Sequence, residues 1–134
     1  MKYAVVTLPR FADAGRKISE FLEADLHLYH AEIFRELTGT ADCIVALMSS
    51  GIAVRGVAPY LTDKWHDAAL VVVTPDLSYA IPVLGGHHGA NDCVKRLAAL
   101  GITPVISTAT EVTGKVSVEE TAKRIGCVVV NRSS

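Results

Sequence analysis

Short apolar runs alternate along the chain with segments in which apolar residues recur at helical spacing. Residues 3–8, 43–48 and 69–74 are almost continuously apolar, as in strands buried on both faces of a parallel sheet. Further strands are predicted at 25–29, 79–84, 103–106 and 127–130. The amphipathic segments predict helices with these inward residues: Phe11, Ala14, Ile18, Phe21 and Leu22; Ile33, Phe34 and Leu37; Val54, Val57, Ala58 and Leu61; Ala90, Cys93, Val94, Leu97 and Ala98; Ala122 and Ile125.

The order of these elements, βαβαβαββαβαβ, indicates one α/β domain over residues 1–134. It predicts a three-layer α/β/α fold with a mostly parallel sheet of six to seven strands. The connection at 75–78 is too short for a crossover helix, so the strand at 79–84 is expected to run antiparallel to its predecessor. A capping box at 117–120 predicts the start of the last helix.

Small, polar or glycine-rich segments follow several predicted strands. They lie at 9–10, 49–51, 85–89 and 107–110. In open α/β sheets, ligands bind beyond the carboxyl ends of the strands. We therefore expect these segments to open on one edge of the sheet and to form a binding crevice there.

Composition excludes several classes of protein. The formal net charge of −1 gives no sign of a nucleic-acid binder. No apolar run is long enough to span a bilayer, and the first residues lead into a strand and not a signal peptide, so a cytoplasmic location without membrane attachment is expected. Cys43, Cys93 and Cys127 are scattered in apolar segments and are interpreted as reduced core residues. The 50% hydrophobic content is high for so small a monomer and favours a homodimer.

Residues 83–92 carry the most distinctive chemistry. Three glycines, Gly85, Gly86 and Gly89, allow a sharp bend and close approach to a bound group, and a helix follows whose N-terminus favours an anion. His87 and His88 add side chains that titrate near neutrality. Adjacent histidines do not easily chelate one ion, so no metal site is predicted. The alternative interpretation is a tight strand-to-helix turn with solvated histidines.

Familiar nucleotide and esterase motifs are absent: the sequence has no phosphate-binding G-x-x-x-x-G-K-[ST], no G-x-G-x-x-G and no G-x-S-x-G. Three other blocks carry a resemblance. Residues 50–67 (SGIAVRGVAPYLTDKWHD), 83–91 (VLGGHHGAN) and 103–111 (TPVISTATE) resemble the N-terminal region of the cobalt-precorrin-5A hydrolase family, cobalamin biosynthesis protein G. The resemblance covers roughly residues 40 to 131.

This resemblance implies a role in anaerobic corrin-ring synthesis: opening of a δ-lactone on a cobalt-tetrapyrrole substrate, with release of acetaldehyde. Cobalt would be carried by the substrate, and no cofactor of the protein's own is implied. Members of the family usually carry a further C-terminal domain, whereas this sequence stops at Ser134. Three alternatives follow: the second lobe is a separate polypeptide, this lobe acts alone, or this lobe is a binding module.

Lactone opening needs a base for water and donors for the oxyanion. His87 or His88 is the predicted base, because a helix N-terminus keeps a nearby imidazole neutral. Glu111 is a second candidate that either acts as a base or orients a histidine, unless it is an idle loop carboxylate. Backbone N–H groups of residues 86–90 and the side chain of Asn91 are candidate oxyanion donors. Asn91 has the alternative of bonding its own backbone in the first helical turn.

The substrate's carboxylates need donors around a broad crevice. Arg55 is a candidate for a bidentate contact, or else an ordinary surface arginine. Ser49 and Ser50 either bond a carboxylate or cap the helix, and Thr108 and Thr110 have the same ambiguity. Gly51, with the three glycines of residues 85–89, permits close backbone approach. Lys64 and His66, beside Trp65, are interpreted as solvated charges, and His27 and His30 as surface residues.

Three functions remain open at this point. The first is the hydrolase, alone or with a partner lobe. The second is a non-catalytic tetrapyrrole-binding or corrinoid-binding module, which needs the carboxylate-binding loops but no base. The third is a small α/β domain that holds another anionic metabolite.

Overall fold

Residues 1–109, which the computed structural model describes, form one sheet with helices on both faces. The strands are β1 (Tyr3–Thr7), β2 (Asp25–Leu28), β3 (Cys43–Leu47), β4 (Ala69–Val73), β5 (Tyr79–Leu84) and β6 (Thr103–Pro104). The helices are α1 (Ala12–Leu22), α2 (Ile33–Thr38), α3 (Ser50–Val57) and α4 (Ala90–Leu97). The predicted capping box, last helix, last strand and Cys127 lie outside the described residues.

The sheet is mixed, and its strand order is β2-β1-β3-β4-β5-β6. Strands β1 to β4 run parallel to one another. The tight connection at 75–78 turns β5 antiparallel to β4, and β6 then pairs in parallel with β5. The predicted mostly parallel sheet with one antiparallel hairpin is confirmed, and both β5 and β6 point opposite to the first four strands.

Alternating side chains of the central strands supply two cores. On one face, Val5, Val45 and Val71 pack with α1 and α4, and on the other, Val6, Ile44 and Val72 pack with α2 and α3. Strands β3 and β4 are buried along their whole length. Because both faces of the sheet are covered, these strands are continuously apolar, and the three-layer arrangement follows.

Two helix faces differ from their predictions. In α3 the buried residues are Ala53 and Val57, whereas Val54 and Leu61 are exposed. The helix ends at Val57, and a 3₁₀ turn follows over 58–60. The prediction that the buried face continues with α-helical spacing to Ala58 and Leu61 was therefore wrong. Ala98 is exposed for the same reason: α4 ends at Leu97 and a 3₁₀ turn leads to Gly101.

The cysteines of the described region are core residues. Cys43 on β3 and Cys93 on α4 are free and fully buried, which confirms that interpretation for both. A hydrogen bond with Cys93, together with burial, raises the pKa of the Cys43 thiol far above its usual range. No helix within residues 1–109 has the length and apolar character needed to cross a bilayer.

A β-bulge precedes the histidine turn. Leu70 pairs with Leu84 while Val71 pairs with Pro82, so Val83 is an extra residue in β5. Pro82 has no N–H to give to a ladder, and bulges are among the few places where a sheet accommodates proline. A bulge increases local twist and redirects the chain that follows it. Here, that chain is Gly85 to Gly89.

Candidate functional site

The predicted ligand-binding segments lie at two opposite edges of the sheet. Segments 9–10 and 49–51 follow β1 and β3, at the carboxyl ends of the parallel strands. Gly85 and Thr108 follow β5 and β6, which run the other way, so they lie where β3 and β4 begin. The expectation of a single shared crevice was therefore wrong. A five-residue strand is about 17 Å long, and that length separates the two groups.

The histidine turn is bent by glycines. Gly85 and Gly89 have positive φ angles of 68° and 117°, which L-residues with a Cβ adopt only with strain. The carbonyl of Gly85 accepts hydrogen bonds from the N–H groups of His88 (2.9 Å) and Ala90 (3.1 Å). This 3₁₀ turn leaves His87 exposed and His88 partly buried, directly before α4.

Two hollows flank the histidine turn, and both are lined by His87 and His88. The first, here named the lysine hollow, has a volume of about 400 Å³ and is also lined by Lys64, Gly86 and Thr108. The second, the acidic hollow, has a volume of about 470 Å³ and is lined by Trp65 and by the following carboxylates: Asp42, Asp67 and Asp92. The two imidazoles therefore form a ridge between hollows of different charge.

The loop at residues 61–68 lies over this ridge. The indole of Trp65 meets the imidazole of His88 edge-on, with ring centroids 5.2 Å apart and planes at 81°. Lys64 Nζ lies 5.0 Å from the centre of the same indole. The sequence interpretation of Lys64 as a solvated charge missed its place in the site. The available signal was its position in the 50–67 block that carries the family resemblance.

Hydrogen bonds to two aspartates hold the 61–68 loop. Asp63 accepts from the N–H groups of Trp65 (2.8 Å) and His66 (3.0 Å), and Asp67 accepts from the N–H and hydroxyl of Thr62. His66 Nδ1 lies 2.8 Å from Asp63 Oδ2. This hydrogen bond is the main cause that raises the pKa of His66 and lowers the pKa of Asp63.

Asn91 and Thr108 meet behind the turn. Asn91 is almost fully buried in the first turn of α4, and its Nδ2 donates to Thr108 Oγ1 across 3.0 Å. Its side chain does not bond its own backbone, which was the predicted alternative. Asn91 Oδ1 is buried without a hydrogen-bond partner, facing Gly86. A Cβ on Gly86 would lie 2.8 Å from Thr108 Cγ2 and 3.2 Å from Asn91 Oδ1, so glycine is what fits here.

The other predicted binding residues are remote from the histidines. Ser49 caps α3 by accepting a hydrogen bond from the Ile52 N–H (3.4 Å), as the capping alternative predicted. Ser50 and Gly51 begin α3, and the guanidinium of Arg55 reaches back toward Gly51. Arg55 lines neither hollow beside the histidines. Thr110 and Glu111 lie outside the described residues.

The arrangement suits an anionic ligand and water activation. The lysine hollow offers an ammonium group, hydroxyls, the backbone of the glycine turn and two imidazoles. In the described part of the chain, no group of three or more His, Cys, Asp or Glu side chains is arranged to hold a metal ion. Within that part, neither His87 nor His88 is hydrogen-bonded to a carboxylate.

Comparison with known proteins identifies a family for this chain. Residues 32–111 match the family described as cobalamin synthesis G N-terminal. The chain is 38% identical over 84 residues to a cobalt-precorrin-5A hydrolase from Salmonella typhimurium and 40% identical over 87 residues to one from Priestia megaterium. These regions cover 61% and 63% of the chain, but only 24% and 23% of the two relatives.

The fold has a solved counterpart. The crystal structure of a cobalamin biosynthesis protein G homolog from Sulfolobus solfataricus superposes with a TM-score of 0.69 at 30% sequence identity. The match covers 90% of this chain and 39% of that one. The chain thus spans between about a quarter and two fifths of the length of these similar proteins.

Proposed function

This chain belongs to the cobalamin synthesis G N-terminal family, and we propose that it binds a cobalt-tetrapyrrole substrate and takes part in hydrolytic opening of the δ-lactone of cobalt-precorrin-5A. Acetaldehyde would be the released fragment. One observation carries this proposal: the paired histidines of the family-like block lie between two hollows and line both of them. A lactone placed over this ridge would be within reach of an imidazole.

The proposed step is acyl transfer to water. The unprotonated imidazole of His87 or His88 takes a proton as water attacks the lactone carbonyl. Backbone N–H groups of the turn at residues 86–90 donate to the oxyanion that forms. The intermediate collapses with cleavage of the C–O bond of the lactone, and the imidazolium returns its proton to the leaving hydroxyl. After ring opening, the freed hydroxyl on the two-carbon unit loses its proton and becomes the C=O of acetaldehyde. The C–C bond that joined this unit to the macrocycle breaks, and the macrocycle keeps the electron pair and takes up a proton.

The same proposal includes expectations about the cofactor, the partner lobe, the cellular location and the oligomeric state. Cobalt would enter with the substrate, and the protein would carry no cofactor of its own. The segments of the longer relatives that this chain does not match would complete the site, in the same polypeptide or as a separate lobe. We place the reaction in the cytoplasm, where the buried free thiols of Cys43 and Cys93 stay reduced. A homodimer and the absence of nucleic-acid partners remain predictions.

A second function is favoured by one specific feature. Catalytic histidines are commonly oriented by a carboxylate, and within residues 1–109 the carboxylate–histidine pair is Asp63 with His66, not His87 or His88. A non-catalytic tetrapyrrole-binding module would need the lysine hollow but no oriented base. This is the alternative that the experiment must separate from the hydrolase.

Acetaldehyde release from the lactone substrate separates the two functions. For a hydrolase, His87→Ala or His88→Ala should lower kcat by about 10²–10⁴-fold with substrate binding retained, the usual cost of removing a general base. His30→Gln, at an exposed histidine beside β2, is the matched control and should leave turnover unchanged. Absence of turnover by the wild-type chain, alone and with the C-terminal lobe of a relative, combined with intact binding would instead establish the binding module.

A further inference from the structure

Trp65 is exposed to an unusual degree for its type. About 65% of its surface is accessible, although tryptophan is the largest apolar side chain and is highly buried on average. It is the only tryptophan of the chain. Its ring lies at nearly a right angle to the imidazole of His88, with centroids 5.2 Å apart, and residue 65 also lines the acidic hollow. A large aromatic ring left open beside a hollow is a typical contact surface for a ligand.

The loop that carries Trp65 is fixed by local hydrogen bonds. The Asp63 carboxylate accepts from the backbone N–H of Trp65 itself, and Asp67 closes the loop onto Thr62. These bonds hold the loop without burying Trp65. The backbone that carries the ring is therefore held in a defined position, which lowers the entropic cost of ordering the loop on binding.

Lys64 and Trp65 serve different hollows. Lys64 lines the lysine hollow, and no carboxylate is among the described residues that line it. Trp65 lines the acidic hollow, where three aspartates outnumber His66 and the N-terminal residue Met1 and so repel a carboxylate of the ligand but not an uncharged group. A lactone is an uncharged ester. The charge difference thus favours a ligand with a free carboxylate beside Lys64 and its lactone beside the acidic hollow.

We infer that Lys64 and Trp65 are binding and orienting residues for a flat, carboxylate-fringed macrocycle, with Trp65 stacked on the ring and Lys64 paired with a peripheral carboxylate. The inference rests on the proposed function, because that function supplies the class of ligand. In this orientation the macrocycle crosses the ridge of His87 and His88. Lys64 fixes which edge of the ring faces the histidines.

The test is calorimetric titration of the 134-residue chain with uroporphyrin, a metal-free porphyrin that carries carboxylates on every pyrrole ring. Trp65→Leu should raise Kd about tenfold, and Trp65→Phe should recover much of that loss because an aromatic ring is restored. The red shift of the porphyrin Soret band on binding should be lost in Trp65→Leu. Tyr79→Leu, at a half-exposed aromatic residue at the start of β5, is the control and should bind as the wild type does.

The role of Lys64 is tested by removing its positive charge. Lys64→Gln should raise Kd for uroporphyrin about threefold at low salt, with a smaller effect at high salt because the ion pair is screened. The effect of Lys64→Gln should vanish for the uroporphyrin derivative in which every peripheral carboxylate is converted to an amide. The effect of Trp65→Leu should persist with that derivative. Lys17→Gln on α1 is the control lysine variant. Circular dichroism of every variant checks that the fold is retained.

The outcomes distinguish failure of this inference from failure of the proposed function on which it rests. If the wild-type chain binds neither porphyrin, the proposed function loses its binding step and this inference fails with it. If uroporphyrin binds but Trp65→Leu and Lys64→Gln match their controls, the macrocycle lies elsewhere and only this inference is overturned. The inference is supported if both variants bind uroporphyrin more weakly and only the effect of Trp65→Leu persists with the amide derivative.

Discussion

Asn91 Nδ2 donates a hydrogen bond to Thr108 Oγ1, and this bond ties the first turn of α4 to the segment after β6. The pair lies directly behind Gly86, whose missing Cβ leaves room for both side chains. Asn91 is almost fully buried, and its Oδ1 has no hydrogen-bond partner there. The position of the histidine turn thus depends on a buried carboxamide with one described partner.

We expect Thr108→Val to destabilise the protein by about 1–3 kcal/mol, because the buried carboxamide then loses that partner while the shape of the side chain is kept. Thr108→Ser retains the hydroxyl and is expected to cost less. Urea unfolding at constant pH measures both variants. No loss in Thr108→Val, together with a loss in Thr108→Ser, would show that the hydrogen bond contributes nothing and that packing of the methyl group decides stability.

Gly86→Ala is expected to destabilise the protein by about 1–3 kcal/mol through overpacking, since the new Cβ would press on Thr108 Cγ2 at 2.8 Å. The double variant Gly86→Ala/Thr108→Ser removes that methyl group and should recover part of the loss. Gly39→Ala is the control, because its Cβ would meet nothing closer than 3.9 Å. Thermal melts are sufficient for the comparison, and a neutral Gly86→Ala would contradict the geometry.

The pH dependence of the 61–68 loop follows from Asp63 and His66. The pKa of His66 is raised, so its contribution is complete below the ordinary histidine pKa of about 6.5 and is lost as pH rises through the raised value. The pKa of Asp63 is lowered, so its contribution is present above the ordinary aspartate pKa of about 3.9 and is lost as pH falls through the lowered value. The loop should be most ordered between these limits.

An NMR titration of the His66 ring measures this directly. Asp63→Asn should return the pKa of His66 toward its ordinary value, since the hydrogen bond with Asp63 is the main cause of the shift. Asp76→Asn removes a carboxylate from the 75–78 turn and should leave the His66 titration unchanged. Trp65 fluorescence should follow the same transition, because its backbone N–H donates to Asp63.

Arg55→Gln is expected to change Kd for uroporphyrin by less than about twofold, in contrast to Lys64→Gln. Arg55 lines neither hollow and lies with Gly51 at the opposite edge of the sheet from the histidines. The two variants remove one positive charge each, so they are matched in their effect on net charge. A loss of binding in Arg55→Gln as large as that in Lys64→Gln would place the ligand at the other edge.

Within residues 1–109, the sequence was sufficient for the order and type of the strands and helices. Continuous apolar runs mark strands covered on both faces, and the short connection at 75–78 permits only an antiparallel return, so the layers and the hairpin could be predicted. The glycines of residues 85–89 likewise predicted a sharp turn before α4. These are local properties, because steric limits on the backbone and the period of the apolar positions act within a few residues.

Only the tertiary structure decided which turns meet. Reversal of β5 takes His88 to the edge where β4 begins, away from Ser49 and Arg55, and brings it against Trp65 of the 61–68 loop. Trp65 and Lys64 therefore join the site, and Asn91 finds Thr108, through contacts between residues 17 or more positions apart. Such contacts depend on the order and direction of all the strands in the sheet. The pattern of apolar residues in any one segment does not encode that arrangement.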